Sequence, residues 1–190
     1  MNIFYLSTDP VEAAKMQCDK HVVKMIVETA QLLSTAHRLL DGTMEIRRHP
    51  NSGRRYKYWV HPQHIMELKL YKATHVNHPS AIWTREAFDN YHWLYAHFIA
   101  LLDEYTYRYD KTHGSSFLKE YLIHAPHNII NERETMIPLC MKSQPQCINE
   151  NDRVQSYRDF YKTKQYNFKM NWTRRSIPTW FNDEDISNRL

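Results

Sequence analysis

The stretch HVVKMIVETAQLLSTAHRLL, residues 21–40, decides the fold of this chain. At 100° per residue its apolar side chains cover roughly 240° of a helical surface. A helix that is apolar over so wide an arc is largely buried. We predict that it runs from Val11 to Leu40, that Cys18-Asp19 is the place where it could break, and that Asp41-Gly42 ends it.

The polar side chains of this helix lie along one edge, which we call the first stripe. Its members recur at intervals of three and four residues: Gln17, His21, Lys24, Glu28, Gln31, Thr35 and Arg38. Because a carboxylate near a histidine is a common acid-base arrangement, Glu28 and His21 are candidate catalytic residues and Lys24 a candidate substrate-binding residue. The alternative is a solvent face with Lys24 and Glu28 as an ordinary i,i+4 ion pair. His37 falls in the apolar arc and is interpreted as a hydrogen-bonded core histidine.

A second long helix is predicted from Pro79 to about Tyr109, because proline suits a first helical turn. It has two polar faces, although packing against a core leaves only one exposed. The extra face, the second stripe, consists of Glu86, Asn90, His97, Glu104 and Arg108.

Two tryptophans, Trp83 and Trp93, border the second stripe. Charged and polar groups are costly to bury there unless they pair or serve a ligand. We therefore predict catalytic roles for Glu86 and His97, and substrate binding by Trp83, Asn90, Trp93, Glu104 and Arg108. If the two stripes face each other, Glu28 and Glu86 form a paired-carboxylate site. The alternative is a structural network built on an Arg108–Glu104 pair.

The remaining segments are shorter and less regular. Residues 43–62 are interpreted as a basic loop, residues 125–151 as irregular, and helices are predicted at 63–73, 115–124 and 155–168. Residues 2–6 form a short β-strand or an extended arm, and residues 177–181 pack back on the rest of the chain. The predicted fold class is all-α or nearly so: a compact multi-helix single domain over residues 1–190 with a possible short N-terminal strand.

Composition indicates a folded cytoplasmic protein. The chain is 42% hydrophobic and 24% charged with 3 glycines, which excludes collagen-like and wholly disordered classes. No window approaches the roughly 18 apolar residues of a membrane span, and residues 1–7 do not resemble a signal peptide, so we expect no membrane partner. Cys18, Cys140 and Cys147 include no C-x-x-C pair and are expected to be reduced thiols.

The positive charge is concentrated towards the C-terminus. The net charge is only +4, yet residues 153–175 contain seven lysines and arginines, one acidic residue and interleaved aromatic residues. This combination favours nucleic-acid binding, in which cations contact phosphates and rings stack on bases. The candidate binding residues are Arg158, Lys162, Lys164 and Arg174. The alternative is that the rings face the core and the charges are solvated.

Histidine is abundant, with 12 residues and three His-x-x-His pairs at 61/64, 75/78 and 124/127. Imidazole is the commonest ligand of zinc, iron and copper. None of the pairs has the H-E-x-x-H form, and such pairs arise by chance when histidine is frequent. We predict no metal and no other cofactor, with His75 and His78 as the most plausible ligands if that prediction fails.

The whole chain resembles a family of small uncharacterised proteins of tailed phages and some bacteria. The resemblance rests on Cys18-Asp19-Lys20-His21-Val22-Val23-Lys24-Met25, Asn77-His78-Pro79-Ser80, Trp83-Thr84-Arg85-Glu86, Asp103-Glu104-Tyr105-Thr106-Tyr107-Arg108-Tyr109, Ser156-Tyr157-Arg158 and Trp180-Phe181. It implies a phage context, with the host cytoplasm as location, and it implies no activity and no catalytic residue.

Three functions are compatible with these patterns. The leading one is an enzyme acting on nucleic-acid bases or nucleotides, by glycosidic-bond hydrolysis as in a DNA glycosylase or by base modification. In it, Glu28 or Glu86 activates water or stabilises positive charge at the sugar, and a tryptophan stacks on the base. The second is a non-catalytic phage accessory protein that sequesters a nucleotide or binds a host protein. The third is a hydrolase with a metal ion bound by histidines.

Overall fold

Two long helices form the centre of the computed structural model, which describes residues 1–182. Asp19–Leu40 (α2) and Phe88–Tyr109 (α5) each have 22 residues and pack against each other. The short helix Pro10–Lys15 (α1) packs on α5, and Pro79–Glu86 (α4) packs on α2. Apolar side chains of all four helices belong to one core cluster.

The other elements of the described chain are short. They are β1 (Thr43–Arg48), β2 (Arg55–Val60), α3 (His64–Lys69), α6 (Lys119–Leu122), α7 (Arg153–Lys162), α8 (Thr179–Asn182) and the 3-10 helices Gly114–Leu118, Pro145–Cys147 and Thr163–Tyr166. The ring of Trp180 in α8 lies 6.2 Å from that of Tyr161, so this segment packs back as predicted. Within residues 1–182, every helix is too short or too polar to cross a membrane.

The break between α1 and α2 lies where the sequence predicts it. The side chain of Asp9 accepts hydrogen bonds from the backbone N–H groups of Val11, at 2.7 Å, and Glu12, at 3.2 Å. This cap and Pro10 begin α1, as expected for a helix N-terminus. Because α1 ends at Lys15 and α2 begins at Asp19, the predicted break near Cys18 is confirmed.

The C-terminal end of α2 requires a glycine. A Cβ atom at Gly42 would lie 2.4 Å from the carbonyl oxygen of Arg38 and 2.9 Å from that of Val60. Only glycine therefore allows the chain to turn so closely from α2 into β1.

The all-α prediction is wrong, because residues 43–60 form an antiparallel β-hairpin. Thr43 pairs with Val60 at its open end, and Gly53, with a φ of 64°, supplies the left-handed residue of the turn. Met44 and Ile46, two apolar residues of β1, are each 46% exposed. The side chains of β1 therefore do not alternate clearly between buried and exposed positions. The prediction of a basic loop at residues 43–62 is therefore also wrong, because two paired strands lie within it. Its many basic residues give this segment the composition of a loop.

The N-terminal arm, residues 3–6, is buried but has no strand partner in the described chain. The possible N-terminal strand is therefore an arm. Phe4 has a φ of 55°, a conformation that is strained for a bulky residue. This turn directs the Phe4 ring onto His21, with ring centroids 4.6 Å apart.

The second long helix is broken at Ala87, which has extended φ and ψ angles of −147° and 152°. Ala87 forms a parallel bridge with Asn131, and the N–H of Phe88 donates to the Asn131 carbonyl oxygen at 2.8 Å. The prediction of one continuous helix is therefore wrong. Side chains before the break, including Glu86, do not share the helical register of those after it.

Candidate functional site

The first stripe is mostly buried and is not a simple solvent face. Four members are at most 6% exposed: Gln17, His21, Thr35 and Arg38. Lys24 is exposed, whereas Glu28 and Gln31 are half-buried. The stripe therefore meets solvent around Lys24 and Glu28, with His21 one turn away in the interior.

Arg38 anchors the hairpin and α3 to the C-terminal end of α2. Its buried guanidinium donates to the carbonyl oxygens of Tyr71 and Trp59, both at 2.7 Å, and to the carboxylate of Glu67 at 2.6 Å. These contacts satisfy the charge within the protein. This end of the stripe holds the fold together.

His21 is a neutral imidazole held in one orientation. The hydroxyl of Tyr161 accepts from the backbone N–H of Cys18 at 2.8 Å and is hydrogen-bonded to His21 Nδ1, also at 2.8 Å. Burial, with smaller contributions from Lys24 and Lys164, lowers the pKa of His21 to about 4. At neutral pH the ring is therefore uncharged.

Glu28 is the carboxylate nearest this histidine along the stripe. Its Oε2 accepts from the backbone N–H of Asn2 at 3.2 Å, and its Oε1 lies 3.3 Å from Lys24 Nζ. The Glu28 side chain is 17% exposed. Burial lowers the pKa of His78, and the Glu28 charge acts in the opposite direction, which places that imidazole near the carboxylate.

Two further lysines lie around His21. Lys164 Nζ is 3.5 Å from the ring centroid of Phe160, and Lys20 Nζ is 4.7 Å from that of Phe168. Burial lowers the pKa of Lys164, Cys147 raises it, and the charge of Lys24, the smallest of the three causes, lowers it. We call the surface formed by Lys24, Glu28, Lys164 and Phe168, with His21 and Phe4 buried beside it, the Glu28 face.

The C-terminal part of the second stripe is a buried ionic network. Arg108 has a fully buried guanidinium that lies 3.0 Å from the Glu104 carboxylate and 3.1 Å from that of Asp19. It also donates to the carbonyl oxygens of Gln17 and Lys15, at 2.8 and 3.0 Å. Apart from Glu104, these partners lie between Lys15 and Asp19, so the network ties α5 to the α1–α2 connection.

Both ring nitrogens of His97 are also hydrogen-bonded within the protein. Its Nδ1 donates to the carbonyl oxygen of Pro10 at 2.8 Å, so Nε2 accepts from the side-chain amide of Gln17 at 3.0 Å. Trp93 stacks on this ring at 5.1 Å and donates from Nε1 to the carbonyl oxygen of Thr8 at 2.7 Å. His97 and Trp93 thus hold the N-terminal segment against α5.

The N-terminal part of the second stripe holds the loop around Thr135. Asn90 donates to the carbonyl oxygen of Trp83 at 2.8 Å and to Thr135 Oγ1 at 2.7 Å. The Thr135 hydroxyl donates to Glu86 at 2.9 Å, and Trp83 Nε1 donates to the Thr135 carbonyl oxygen at 3.0 Å. Glu86 is bound here, whereas Glu28 is bound to Asn2 and Lys24, so the two carboxylates share no protein partner.

The basic segment mostly contacts the protein itself. Arg158 donates to the carbonyl oxygen of Leu6 at 3.0 Å, and Arg174 pairs with Asp110 at 2.5 Å. Lys162 is 5% exposed. Of the four cations predicted to bind nucleic acid, Lys164 is the one on the Glu28 face.

No protein-family model, curated protein or solved structure matches this chain. Function is therefore inferred from the arrangement of the side chains.

A cavity of about 670 Å³ lies along α1 and α5, on another surface than the Glu28 face. Apolar and aromatic side chains line most of it, including Val11, Tyr95 and Ile99. Glu104, a predicted substrate-binding residue, lies in its wall beside Arg175, and these two side chains pair at 2.5 Å. The cavity thus contains one of the residues predicted to bind substrate, Glu104, but Arg175 already neutralises its charge.

The residues able to hold a metal are not those predicted. His75 is exposed with a φ of 49°, and His78 caps α4 by accepting from the backbone N–H of Ser80 at 3.1 Å. In residues 1–182, the histidine and carboxylate side chains that cluster with suitable spacing are His37, Asp41 and His61.

Sequence patterns missed the aromatic partners of His21. Phe4 and Tyr161 contact this histidine, yet they are 17 residues before it and 140 residues after it in the chain. The strong strand preference of residues 3–5 pointed to a strand instead. The interleaved rings of residues 153–175 were the available signal for Tyr161, which turns out to face the core.

Proposed function

We propose that this protein is an enzyme acting on nucleic-acid bases or nucleotides at the Glu28 face, by glycosidic-bond hydrolysis or base modification in a phage context. The observation that supports it is the assembly of Glu28, the neutral His21 and two lysines from different elements around a common surface. A carboxylate, an imidazole and cations together suit a substrate with an anionic and a polar aromatic part.

The charges of the Glu28 face match a phosphate-bearing ligand. Lys24 and Lys164 come from α2 and from the 3-10 helix after α7, and each raises the local positive potential at the other. In the described chain, Lys164 contacts the Phe160 ring but forms no salt bridge, so an incoming phosphate would give its ammonium group an ionic partner.

The aromatic side chains supply the surface for a base. Phe168 is half-buried, and its ring meets that of His21 edge to face with centroids 5.4 Å apart. Flat rings beside lysines are typical of sites that stack bases while binding the backbone. The Nε2 atom of the neutral His21 is a hydrogen-bonding group for a base or sugar.

In the proposed reaction, Glu28 is the general base. In hydrolysis, water attacks the sugar C1′, the C1′–N bond breaks, and the departing base takes the electron pair and, by way of Glu28, the proton that the water gives up. The Glu28 carboxylate would accept the proton of the attacking water and offset the positive charge that develops on the sugar. Its own pair with Lys24, at 3.3 Å, keeps it oriented towards the surface.

Replacing Glu28 with glutamine is expected to lower base release by at least about 100-fold, the lower end of the usual effect of removing a general base. Wild-type protein is incubated with unmodified and modified DNA and with nucleotides, and free bases and nucleosides are measured by mass spectrometry. The matched control is Glu12→Gln, which alters a more exposed glutamate paired with Lys15 at 2.7 Å on α1. Absence of any release by the wild-type protein would contradict the proposal, as would equal activity of the two variants.

A non-catalytic role has one observation in its favour, because Glu28 already has two protein partners. A carboxylate held in this way can orient a lysine for binding alone. An unaltered nucleotide recovered from denatured purified protein would favour sequestration. Conversion of that nucleotide during prolonged incubation of the native protein would exclude it.

A further inference from the structure

Three side chains with metal-binding atoms meet where the β-hairpin joins the C-terminal end of α2. His37 and Asp41 are four residues apart and lie on one helical edge, and His61 directly follows β2. One ring nitrogen of each histidine and a carboxylate oxygen of Asp41 all lie within 4.8 Å of one another. Both histidines are 4% exposed.

Each of the two histidines has a buried ring nitrogen without a partner: His37 Nδ1 and His61 Nε2. Buried polar atoms are nearly always hydrogen-bonded, so two such atoms beside one carboxylate require an explanation. The hydrogen bonds of Tyr91 define the His37 tautomer. The Tyr91 hydroxyl donates to the Leu122 carbonyl oxygen, so it accepts from His37 Nε2, at 2.9 Å in both cases. His37 Nδ1 therefore carries a free lone pair.

The surroundings already orient all three side chains. Asp41 accepts from the backbone N–H groups of His127 and Asn128, both at 3.0 Å. The backbone N–H of His61 donates to Glu67 at 2.8 Å, and Tyr91 holds the ring of His37. Hydrogen bonds of this kind fix ligand orientation and tautomer around protein-bound metals.

We propose that His37, Asp41 and His61 bind a divalent transition-metal ion, zinc or ferrous iron. Two imidazole nitrogens and one carboxylate suit these ions, whereas calcium and magnesium prefer oxygen ligands. Coordination by His61 Nε2 moves the ring proton to Nδ1 and gives up the hydrogen bond that Nδ1 accepts from Gln63 N–H at 3.2 Å. The exchange leaves Nδ1–H facing the N–H of Gln63, so metal coordination has to outweigh the loss of one hydrogen bond.

The ion would join three parts of the chain: the end of α2, the end of the hairpin and the segment at residues 127–128 that binds Asp41. His37 is nine residues from Glu28 on α2, which is about 14 Å along the helix axis. The site is therefore separate from the Glu28 face. Its metal affinity can be tested whether or not that face is catalytic.

The test measures binding of Zn²⁺ and Co²⁺ to full-length protein freed of metal with a chelator. Titration calorimetry with Zn²⁺ is expected to show one high-affinity site per chain, and Co²⁺ is expected to give visible absorption bands of a low-symmetry site. His61→Gln should weaken Zn²⁺ binding at least tenfold. The control, His64→Gln, changes an exposed histidine of the same His-x-x-His pair and should bind as wild type does.

Circular dichroism establishes that both variants are folded, and Asp41→Asn provides a second ligand change if His61→Gln is not. Zinc should also raise the melting temperature of wild type and His64→Gln, because metal bound only by the folded state stabilises it. Lack of a stoichiometric site in the wild type would overturn the proposal. Equal Zn²⁺ affinity of the ligand variant and the His64→Gln control would overturn it too.

Discussion

Replacing Arg108 with leucine is expected to lower the free energy of unfolding by about 3–5 kcal/mol, the usual result of removing one partner from a buried ion pair. The guanidinium is fully buried between the carboxylates of Asp19 and Glu104. Without it, Asp19 and Glu104 lose their buried cation, and the carbonyl oxygens of Lys15 and Gln17 lose a donor. Since whole domains are stable by only about 5–15 kcal/mol, this variant is expected to be close to unfolding at 37 °C.

Urea denaturation followed by circular dichroism measures this effect. The control is Arg174→Leu, because the Arg174–Asp110 pair has side chains that are 48% and 72% exposed. Exposed pairs of this kind contribute at most about 1 kcal/mol. If the Arg108 variant were as stable as the Arg174 variant, the buried network would not be what ties α5 to the α1–α2 connection.

The first long helix could be predicted from sequence because its signals are local. The apolar arc of residues 21–40, the break near Cys18-Asp19 and the glycine at position 42 each act within a few residues of themselves. The hairpin could not be predicted in the same way. Its side chains alternate poorly between buried and exposed positions, and Tyr58 is the residue of the two strands that is buried.

The second stripe shows where pattern analysis fails. A helical wheel assumes one uninterrupted helix, but a bridge from Ala87 to Asn131, 44 residues away, breaks this one. The partners of its charged groups are equally distant, since Arg108 binds Asp19 and Glu104 binds Arg175. Surplus polar residues on a helix therefore indicated burial and pairing. The local Arg108–Glu104 pair could be predicted from its i,i+4 spacing, whereas the distant partners Asp19 and Arg175 could not.

The candidate site was predictable only in part. Periodicity placed His21, Lys24 and Glu28 on one edge of α2, because these positions depend on the helix alone. Their accessibility depends on residues from both ends of the chain: Asn2 binds Glu28, and Tyr161 binds His21. Arg158 was predicted to bind nucleic acid, but its guanidinium donates instead to the carbonyl oxygen of Leu6, 152 residues away in the chain.

Acid is expected to destabilise the protein between about pH 6.5 and pH 4, and His97 is a main cause. Complete burial lowers the pKa of His97 to about 4, although the acceptor at Pro10 acts in the opposite direction. Above pH 6.5, where folded and unfolded forms are both neutral, the full stability is present. As the pH falls, the unfolded chain binds a proton at His97 before the folded protein does, so stability falls until the folded pKa is reached.

The contribution of His97 is on the order of 2 kcal/mol between pH 7 and pH 5, and about 3 kcal/mol by pH 4. The free energy of unfolding is measured with urea at pH 7 and pH 5 for the wild type and for His97→Gln, which has no proton to gain. Carboxylates contribute equally to both proteins, so the difference between the two pH dependences isolates the histidine. His64→Gln, at an exposed position, should retain the wild-type dependence. If His97→Gln retained it as well, His97 would have to accept a proton in the folded state. That would require the side-chain amide of Gln17, which now donates to Nε2, to rotate and present its oxygen instead.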